Sequence, residues 1–272
     1  MTEISVVIIT KSEALNIEAC ILSAKKISKD IIVIDSGSDD NTIELAGKVG
    51  ANVQSITWKG YGDARNTGAG FAKNEWILSL DADERITTEL AAAVLAINPV
   101  DTNIIYGFRR QNFFGNTEIR HGALKHDRVF RLYNRNYAQW NLVPVHEKLV
   151  GEHTKKITLD AHAKHFGIRN AAHYKQKKTG YAFLCALKYK QEQRKFIAAL
   201  RVLSPVFNFM QAYIFQLGFL DKRIGFIVAR INAYYTSKKY QQLYLMLQQE
   251  RKSIPQRGFL GNSLKWISSL LS

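Results

Sequence analysis

Asp81, Asp83 and Glu84 stand within four positions of one another, directly after the apolar run WILSL at 76–80. Carboxylates this close resist ionising together unless a cation or water compensates them. As a D-x-D pair at a strand end, Asp81 and Asp83 can converge on one divalent cation. Hard oxygen ligands suit Mg²⁺ or Mn²⁺, and these ions commonly complete their shells with substrate phosphates. The same acids could instead cap the helix that opens near Thr87, through its dipole. Asp35 ends a second apolar run, IIVID at 31–35, where a carboxylate can accept hydrogen bonds from a nucleotide base or ribose. Asp39 and Asp40, in the loop that follows, suit helix capping equally well. Arg65, in GYGDARN at 60–66, is a planar donor suited to phosphate, or else to a surface ion pair.

The elements that must position these residues alternate. ISVVIIT (4–10), IIVID (31–35), ANVQSITW (51–58), WILSL (76–80) and IIYGFRR (104–110) read as strands, the core ones short, continuous and β-branched. Between them, 16–27 has helical spacing, Asp39 or Asp40 can cap a helix to about Val49, and GYGDARNTGAGFA (60–72) is a glycine-rich turn leading into a short helix. Thr87 or Thr88 opens another helix, stopped by Asn98-Pro99. Strands alternating with helices predict an α/β fold with a parallel sheet covered on both faces. Ligands bind beyond the carboxyl ends of such strands. The ends of the first, second and fourth strands carry Thr10 to Glu13, Asp35-Ser36 and Asp81 to Asp83, so these groups should share one crevice.

After residue 110 the pattern changes. DRVFRLYNR (127–135) alternates like an antiparallel strand, and AQWNLVPVHEKLV (138–150) could pair with it. From about 170 to 195 the chain reads as a basic amphipathic helix. Residues 202–220 carry no charge, but contain Pro205, Asn208, Gln211 and Gln216, and basic residues flank them. This composition predicts helices lying in a membrane interface rather than a span. The net charge of +15 is uneven: residues 1–100 hold 9 Lys+Arg against 14 Asp+Glu, while 101–272 hold 29 against 9. The second part should therefore meet something anionic, such as a membrane surface or a phosphorylated substrate. No nucleic-acid motif appears, so nucleic acid is not the expected partner. Cys20 and Cys185 match no metal spacing, which fits a reducing compartment, and no secretory signal is seen. No G-x-G-x-x-G follows the first strand, which argues against a dinucleotide-binding domain.

Taken together, SVVIITKSE, IIVIDSGSDDNT, GYGDARNTG and WILSLDADER resemble the nucleotide-binding half of the family 2 inverting glycosyltransferases. RHGALKHDRVFRLYNR, VPVHEKL and GFLDKRIGFIVARINAYYTSKKY are similar to the branch holding lipopolysaccharide core β-1,4-glucosyltransferases and related cell-envelope sugar transferases. Two positions depart from the pattern: Ser12, where the family usually has Asn, and the Leu-Lys of GALKHD, where the branch more often has an aromatic and a proline.

The resemblance implies a GT-A fold over 1–168, with a donor-binding half (1–110) and an acceptor-side half (111–168), followed by a helical membrane-interface region (169–272). It implies a nucleotide-diphosphate sugar donor, UDP-linked by preference, a metal (Mg²⁺ or Mn²⁺) at Asp83 and Asp81, and nucleotide contacts from Thr10, Glu13, Asp35, Ser36, Arg65 and Asp81. An acceptor hydroxyl would attack the anomeric carbon as its bond to the nucleoside diphosphate breaks on the opposite face, while a base takes the hydroxyl proton. Glu147 and Asp127 are the two candidates for that base, with His146 beside the metal or diphosphate. In a strictly extended chain, however, His146 and Glu147 would face opposite ways. The expected setting is the cytoplasmic face of a bacterial inner membrane, with an anionic glycolipid acceptor. The competing chemistry, a metal-dependent phosphohydrolase, wants its D-x-D after the first strand and followed by Thr or Val. His162 and His165 fit no zinc spacing and are given no role.

Overall fold

The computed structural model describes residues 3–97, 102–125, 127–143, 147–194 and 197–253. Strands β1 (Ile4–Thr10), β2 (Ile31–Asp35), β3 (Asn52–Ser55) and β4 (Trp76–Asp81) form the parallel part of a sheet ordered β3-β2-β1-β4. Beyond β4 the sheet becomes mixed, and the 127–135 segment is the antiparallel strand its alternation suggested. β8 (Arg128–Asn134) lies antiparallel to β4, and β6 (Ile104–Phe114) antiparallel to β8. The long β11 (Lys155–Ile168) runs parallel to β6, and the short β5 (Glu84–Ile86) closes the edge antiparallel to β11. A two-residue strand, β7 (Thr117–Glu118), folds back on β6. Neither β5 nor β11 was expected. β11 mixes Lys, His, Asp and Thr with its apolar residues and buries only four of its fourteen residues, so no apolar run marks it.

One pairing expectation is corrected. The segment 138–150 does not pair with the 127–135 strand. Its strands β9 (Gln139–Trp140) and β10 (Leu149–Val150) form a separate hairpin with each other. Both long edges of β8 are already taken by β4 and β6, so no donor or acceptor row is left for a third strand.

Within β1 and β2 the side chains divide by the two-residue period. Ile4, Val6, Ile8, Ile31 and Val33 enter one core with helices α1 (Ile17–Ala24) and α4 (Thr88–Leu95). Val7, Ile9, Ile32 and Ile34 enter the other, under helix α3 (Tyr61–Phe71). Helix α2 (Thr42–Lys48) flanks the first core. Of the glycines in GYGDARNTGAG, Gly62, Gly68 and Gly70 lie inside α3, while Gly60, with φ 132°, precedes it as the N-cap residue. Gly68 explains one of them: a Cβ there would lie 2.3 Å from Val7 Cγ1 and 2.8 Å from Ile34 Cγ1. α3 rests on the sheet by its backbone at that point.

The rest of the chain is helical. Asn170 caps α5 (Ala171–Gln191), its side chain accepting from His173 N. α6 (Ile197–Met210) runs into a π-helical turn (Gln211–Phe215) and a 3-10 turn (Gly218–Asp221), and α7 (Lys222–Ser253) returns beside α5. A third core, with Ile119 and Ile168 from the sheet side and Tyr174, Val228 and Ile231 from α5 and α7, joins this layer to the sheet.

Because the space under Gly68 is filled by β-branched side chains, Gly68→Val should overpack the α3–sheet contact. The expected loss of unfolding free energy is at least roughly 1–3 kcal/mol, measured by urea denaturation. Gly70→Ala, where a Cβ meets nothing within 4 Å, serves as the tolerated comparison.

Candidate active site

The parallel register places the first, second and fourth strand ends side by side. Thr10 is opposite Asp35, and Ile9 is opposite Asp81. Asp35 is 1% exposed and is occupied by its own loop: its Oδ2 accepts from Gly37 N (2.9 Å) and Ser38 N (3.0 Å), and its Oδ1 from the Ser38 hydroxyl. Ser36, also buried, donates its backbone N–H to Thr10 O at 3.1 Å. Thr10 Oγ1 is buried without a hydrogen-bond partner among the described residues. Ser12 has φ 54°, a left-handed conformation in which Asn is enriched. The serine here is held by bonds from its N–H to Ser38 Oγ (2.8 Å) and from its hydroxyl to Asp39 Oδ1 (2.7 Å). Glu13 Oε2 accepts from Asn16 (2.7 Å) and from Arg169 (2.9 Å), the latter reaching back from just after β11.

Asp81 sits among guanidinium groups. Arg65 Nη2 bonds its Oδ1, Arg131 Nη2 bonds its Oδ2 at 3.0 Å, and Arg110 Nη1 lies 3.8 Å away. Burial would push the Asp81 carboxyl up, but Arg131 and Arg65 outweigh it and hold it below the usual carboxylate range. Arg65 itself is 1% exposed, tied to Ser79 Oγ at 2.6 Å and stacked 4.8 Å from the centre of the Trp140 ring. In this arrangement it reaches the crevice through Asp81. Asn66, one residue on, clamps the β9–β10 hairpin: its amide donates to Trp140 O (2.8 Å) and accepts from Trp140 N (2.9 Å).

That clamp brings Glu147 Oε1 to 3.6 Å from Arg65 Nε. On the other side, Arg110 binds Glu84 (3.1 Å) and grips Asp127 Oδ2 through Nη2 (2.6 Å) and Nε (2.9 Å). Both base candidates thus end one chain of charges, Glu147–Arg65–Asp81–Arg110–Asp127. Asp127 is tightly bound by its arginine, whereas the arginine contact of Glu147 is longer. His146 lies outside the described residues.

Asp83 has different partners. β5 pairs with β11 so that His165 is opposite Glu84, and Phe166 N donates to Asp83 O at 2.8 Å. His165 Nε2 then lies 3.4 Å from Asp83 Oδ1, and Lys177 Nζ of α5 lies 3.3 Å from Oδ2. Burial would raise the Asp83 carboxyl, but His165 and Lys177 together hold it well below its ordinary range. Gly167 makes this approach possible, since a Cβ there would lie 2.7 Å from His165 Nε2 and 3.3 Å from Asp83 Oδ2. Asn112, opposite His165 in the β6–β11 register, donates to Leu124 O (2.7 Å), so its Oδ1 accepts from His165 Nδ1 at 2.5 Å. The outer nitrogen carries a proton, and Nε2 is turned to Asp83 as a second N–H or as a lone pair.

Asp83 Oδ1 is buried with no hydrogen bond. A carboxylate oxygen without a donor, an imidazole nitrogen facing it and a space kept open by Gly167 fit a divalent cation. No group of three or more His, Cys, Asp or Glu forms a metal site among the described residues. A cation here would therefore take much of its shell from water or phosphate. Mn²⁺ accepts such a nitrogen ligand more readily than Mg²⁺. Sequence spacing could not reveal His165, because it reaches Asp83 only through the β5–β11 register.

A crevice lined by carboxylates and arginines lies at the carboxyl ends of a parallel β2-β1-β4 core that antiparallel strands extend, in a mixed α/β domain. The model of Glycosyl transferase family 2 matches residues 5–155. The chain belongs to that family. It is 34% identical over 141 residues to an uncharacterized glycosyltransferase of Rickettsia bellii, covering 51% of this chain and 48% of the relative. It is 27% identical over 151 residues to the 4,4'-diaponeurosporenoate glycosyltransferase of Staphylococcus haemolyticus, covering 52% and 37%. The match thus spans about half the length of the first of these curated relatives, and less of the second. A crystal structure of Mycobacterium tuberculosis glucosyl-3-phosphoglycerate synthase with Mn²⁺, UDP and phosphoglyceric acid is 24% identical over 41% of this chain and 43% of that one, with a TM-score of 0.34. The mixed α/β sheet flanked by helices agrees with the GT-A expectation.

The lowered carboxyl of Asp81 sets a pH dependence. Its ion pairs stabilise the fold above the unfolded carboxylate value, about 3.9, and that contribution is lost as pH falls below it. Asp81→Asn should cost about 3 kcal/mol at pH 7 and flatten the fall in stability below about pH 4, measured by urea midpoints.

Proposed function

We propose that the protein is an inverting glycosyltransferase that moves a hexose, glucose favoured, from a UDP-sugar to an anionic glycolipid such as a lipopolysaccharide core. The observation that carries this reading is the facing pair of Asp83 and His165 at the strand-end crevice, within a family 2 sheet. No feature of the site favours the phosphohydrolase alternative.

Asp83 and His165 would hold Mg²⁺ or Mn²⁺, which when bound supplies positive charge to the leaving diphosphate. Lys177, beside Asp83, would add a second positive charge to that edge. The Thr10–Glu13 and Asp35–Ser36 loops would shape the nucleotide pocket. Glu147 is the favoured base. Asp127 is gripped twice by Arg110, which suits it to holding that arginine and to contacting the acceptor, whereas the longer arginine contact of Glu147 leaves its carboxylate more available for proton transfer.

The acceptor's setting is read from the helical layer. The 19-residue stretch Ile197–Phe215 is long and apolar enough to cross a membrane by length and composition, yet only 11% of its most apolar window is buried. Val202, Leu203, Val206, Phe207, Ile214 and Phe215 are exposed, and the ridge continues through Leu217, Phe219, Leu220 and Phe226. Exposed Arg201, Lys222, Arg223 and Arg230 border it. A ridge of apolar residues edged by cations matches the interface of an anionic leaflet. The Asp221 carboxylate ties the ridge to the acceptor side, accepting from Arg120 N (3.0 Å) and His121 N (2.8 Å). The proposed location is thus the cytoplasmic face of the inner membrane, with the chain lying in the interface and the domain boundary near residue 168.

Two measurements test the reading. Titration of UDP-glucose, UDP-galactose, UDP-GlcNAc and GDP-mannose with Mn²⁺ or Mg²⁺ should show metal-dependent binding of one donor. Asp83→Ala and His165→Ala should each weaken it at least tenfold, and Glu147→Gln should lower turnover at least a hundredfold with binding kept. Metal-independent or absent donor binding by folded protein would refute the assignment. For the membrane, Phe207→Asp with Phe215→Asp should abolish co-sedimentation with vesicles containing phosphatidylglycerol and leave donor binding within twofold.

A further inference from the structure

The β5–β11 pairing sets two rows of side chains back to back. Glu84 and His165 are opposite each other and turn to the crevice, where they meet Arg110 and Asp83. Arg85 and Lys164 are the next pair, and the two-residue period sends them to the other face. There they line a cavity of about 690 Å³ at the β5 edge of the sheet, with Lys26 from the turn after α1 and His162 beside them. Small-molecule sites span roughly 300–1,000 Å³, so the space is that of a ligand larger than a single ion.

Arg85 is backed by rings. Its guanidinium lies 4.0 Å from the centre of Phe166, which stacks in turn on Phe113 at 4.8 Å. Its Nε is buried without a hydrogen-bond partner, and its Nη groups, which make no hydrogen bond or ion pair among the described residues, remain as donors for the cavity it lines. Opposite residues of an antiparallel pair have Cβ atoms about 4.5–5.5 Å apart, and like charges there repel. Arg85 and Lys164 are such a pair.

The nearby carboxylates are occupied elsewhere. Glu84 is bound by Arg110, and Asp83 faces His165 and Lys177. Asp160 lines the cavity but is 97% exposed, 3.9 Å from Arg109. Glu89 also lines it; its carboxyl is held down by its own backbone N–H and by Thr87, with Lys26 and Lys164 adding to this. That one carboxylate is shared by two lysines and leaves Arg85 without a counter-charge. A planar guanidinium takes two oxygens of one oxyanion. With Lys164 directly across from it, a dianion fits better than a single carboxylate.

We propose that this cavity is a binding site for a phosphate monoester, its oxygens on Arg85 and Lys164 and the rest of the ligand in the remaining space. The site is separate from the crevice, because the two rows point to opposite faces of the same strands. It does not depend on the transferase reading. The phosphate could be carried by a free sugar or by a lipid headgroup.

The test is calorimetric titration of the full chain with glucose 6-phosphate and with dodecyl phosphate below its micelle concentration, at constant ionic strength, with and without saturating UDP and Mn²⁺. Glucose is the uncharged control. Wild type should bind the phosphates but not glucose, and UDP with Mn²⁺ should leave the affinity within twofold. Arg85→Gln should lose at least tenfold in phosphate affinity and keep UDP binding within twofold. Lys164→Glu should abolish phosphate binding and melt higher than wild type, since it turns a like-charged pair into an ion pair; loss of binding is then not loss of fold. Tenfold tighter dodecyl phosphate assigns a lipid-borne phosphate, and tenfold tighter glucose 6-phosphate a soluble one. No phosphate binding by wild type, equal affinity in the folded variants, or displacement by UDP with Mn²⁺ would overturn the proposal. Phosphate binding that depends on Arg85 and Lys164 in a protein that binds no nucleotide sugar would keep this site and remove the transfer reading alone.

Discussion

Burying charge demands compensation, and the centre of this molecule is organised around one instance of that demand. The Asp81 carboxylate ends an apolar strand and meets three guanidinium groups, from α3, β6 and β8. Each arginine is itself kept in place by something else. Arg65 is held by Ser79 and Trp140, Arg110 by Glu84 and Asp127, and Arg131 lies 5.3 Å from the centre of the same Trp140 ring. Removing any one leaves a charge in a poorly solvated place, which explains why elements far apart in sequence share this point. The base candidates and the glycine-containing helix α3 take their positions from this cluster.

The second acid of the pair serves a different end. Asp83 keeps one oxygen without a hydrogen bond and faces an imidazole whose outer nitrogen is fixed by Asn112. Structural carboxylates in a core are usually satisfied by donors, as Asp35 is by its own loop. Asp81, surrounded by arginines, and Asp83, with one oxygen left without a hydrogen bond, thus sit in opposite environments within three residues of chain.

The helical layer is part of the site rather than an appendage to it. α5 delivers Lys177 to Asp83, while α6 and the turns after it present the apolar ridge.

What the sequence by itself determined is the local part. The strands 4–10, 31–35 and 76–80 are legible because a buried parallel strand must be apolar on both faces, and their acids follow because such strands end at the ligand edge. The helix from about residue 170 and the uncharged run that forms the exposed ridge are legible for similar local reasons. Only the tertiary structure decided the rest. β11 is long and polar, so its strand character comes from pairing with β6 and β5, not from its own composition. That pairing alone sets His165, 82 positions further along the chain, against Asp83. The hairpin at 139–150 pairs with itself because both edges of β8 are full. Arg65 looks like a surface phosphate donor in sequence and is buried by packing under Trp140. Hydrophobic period and capping chemistry act over a few residues and can be read along the chain. Register and charge compensation are settled between segments, and exist only once the segments have met.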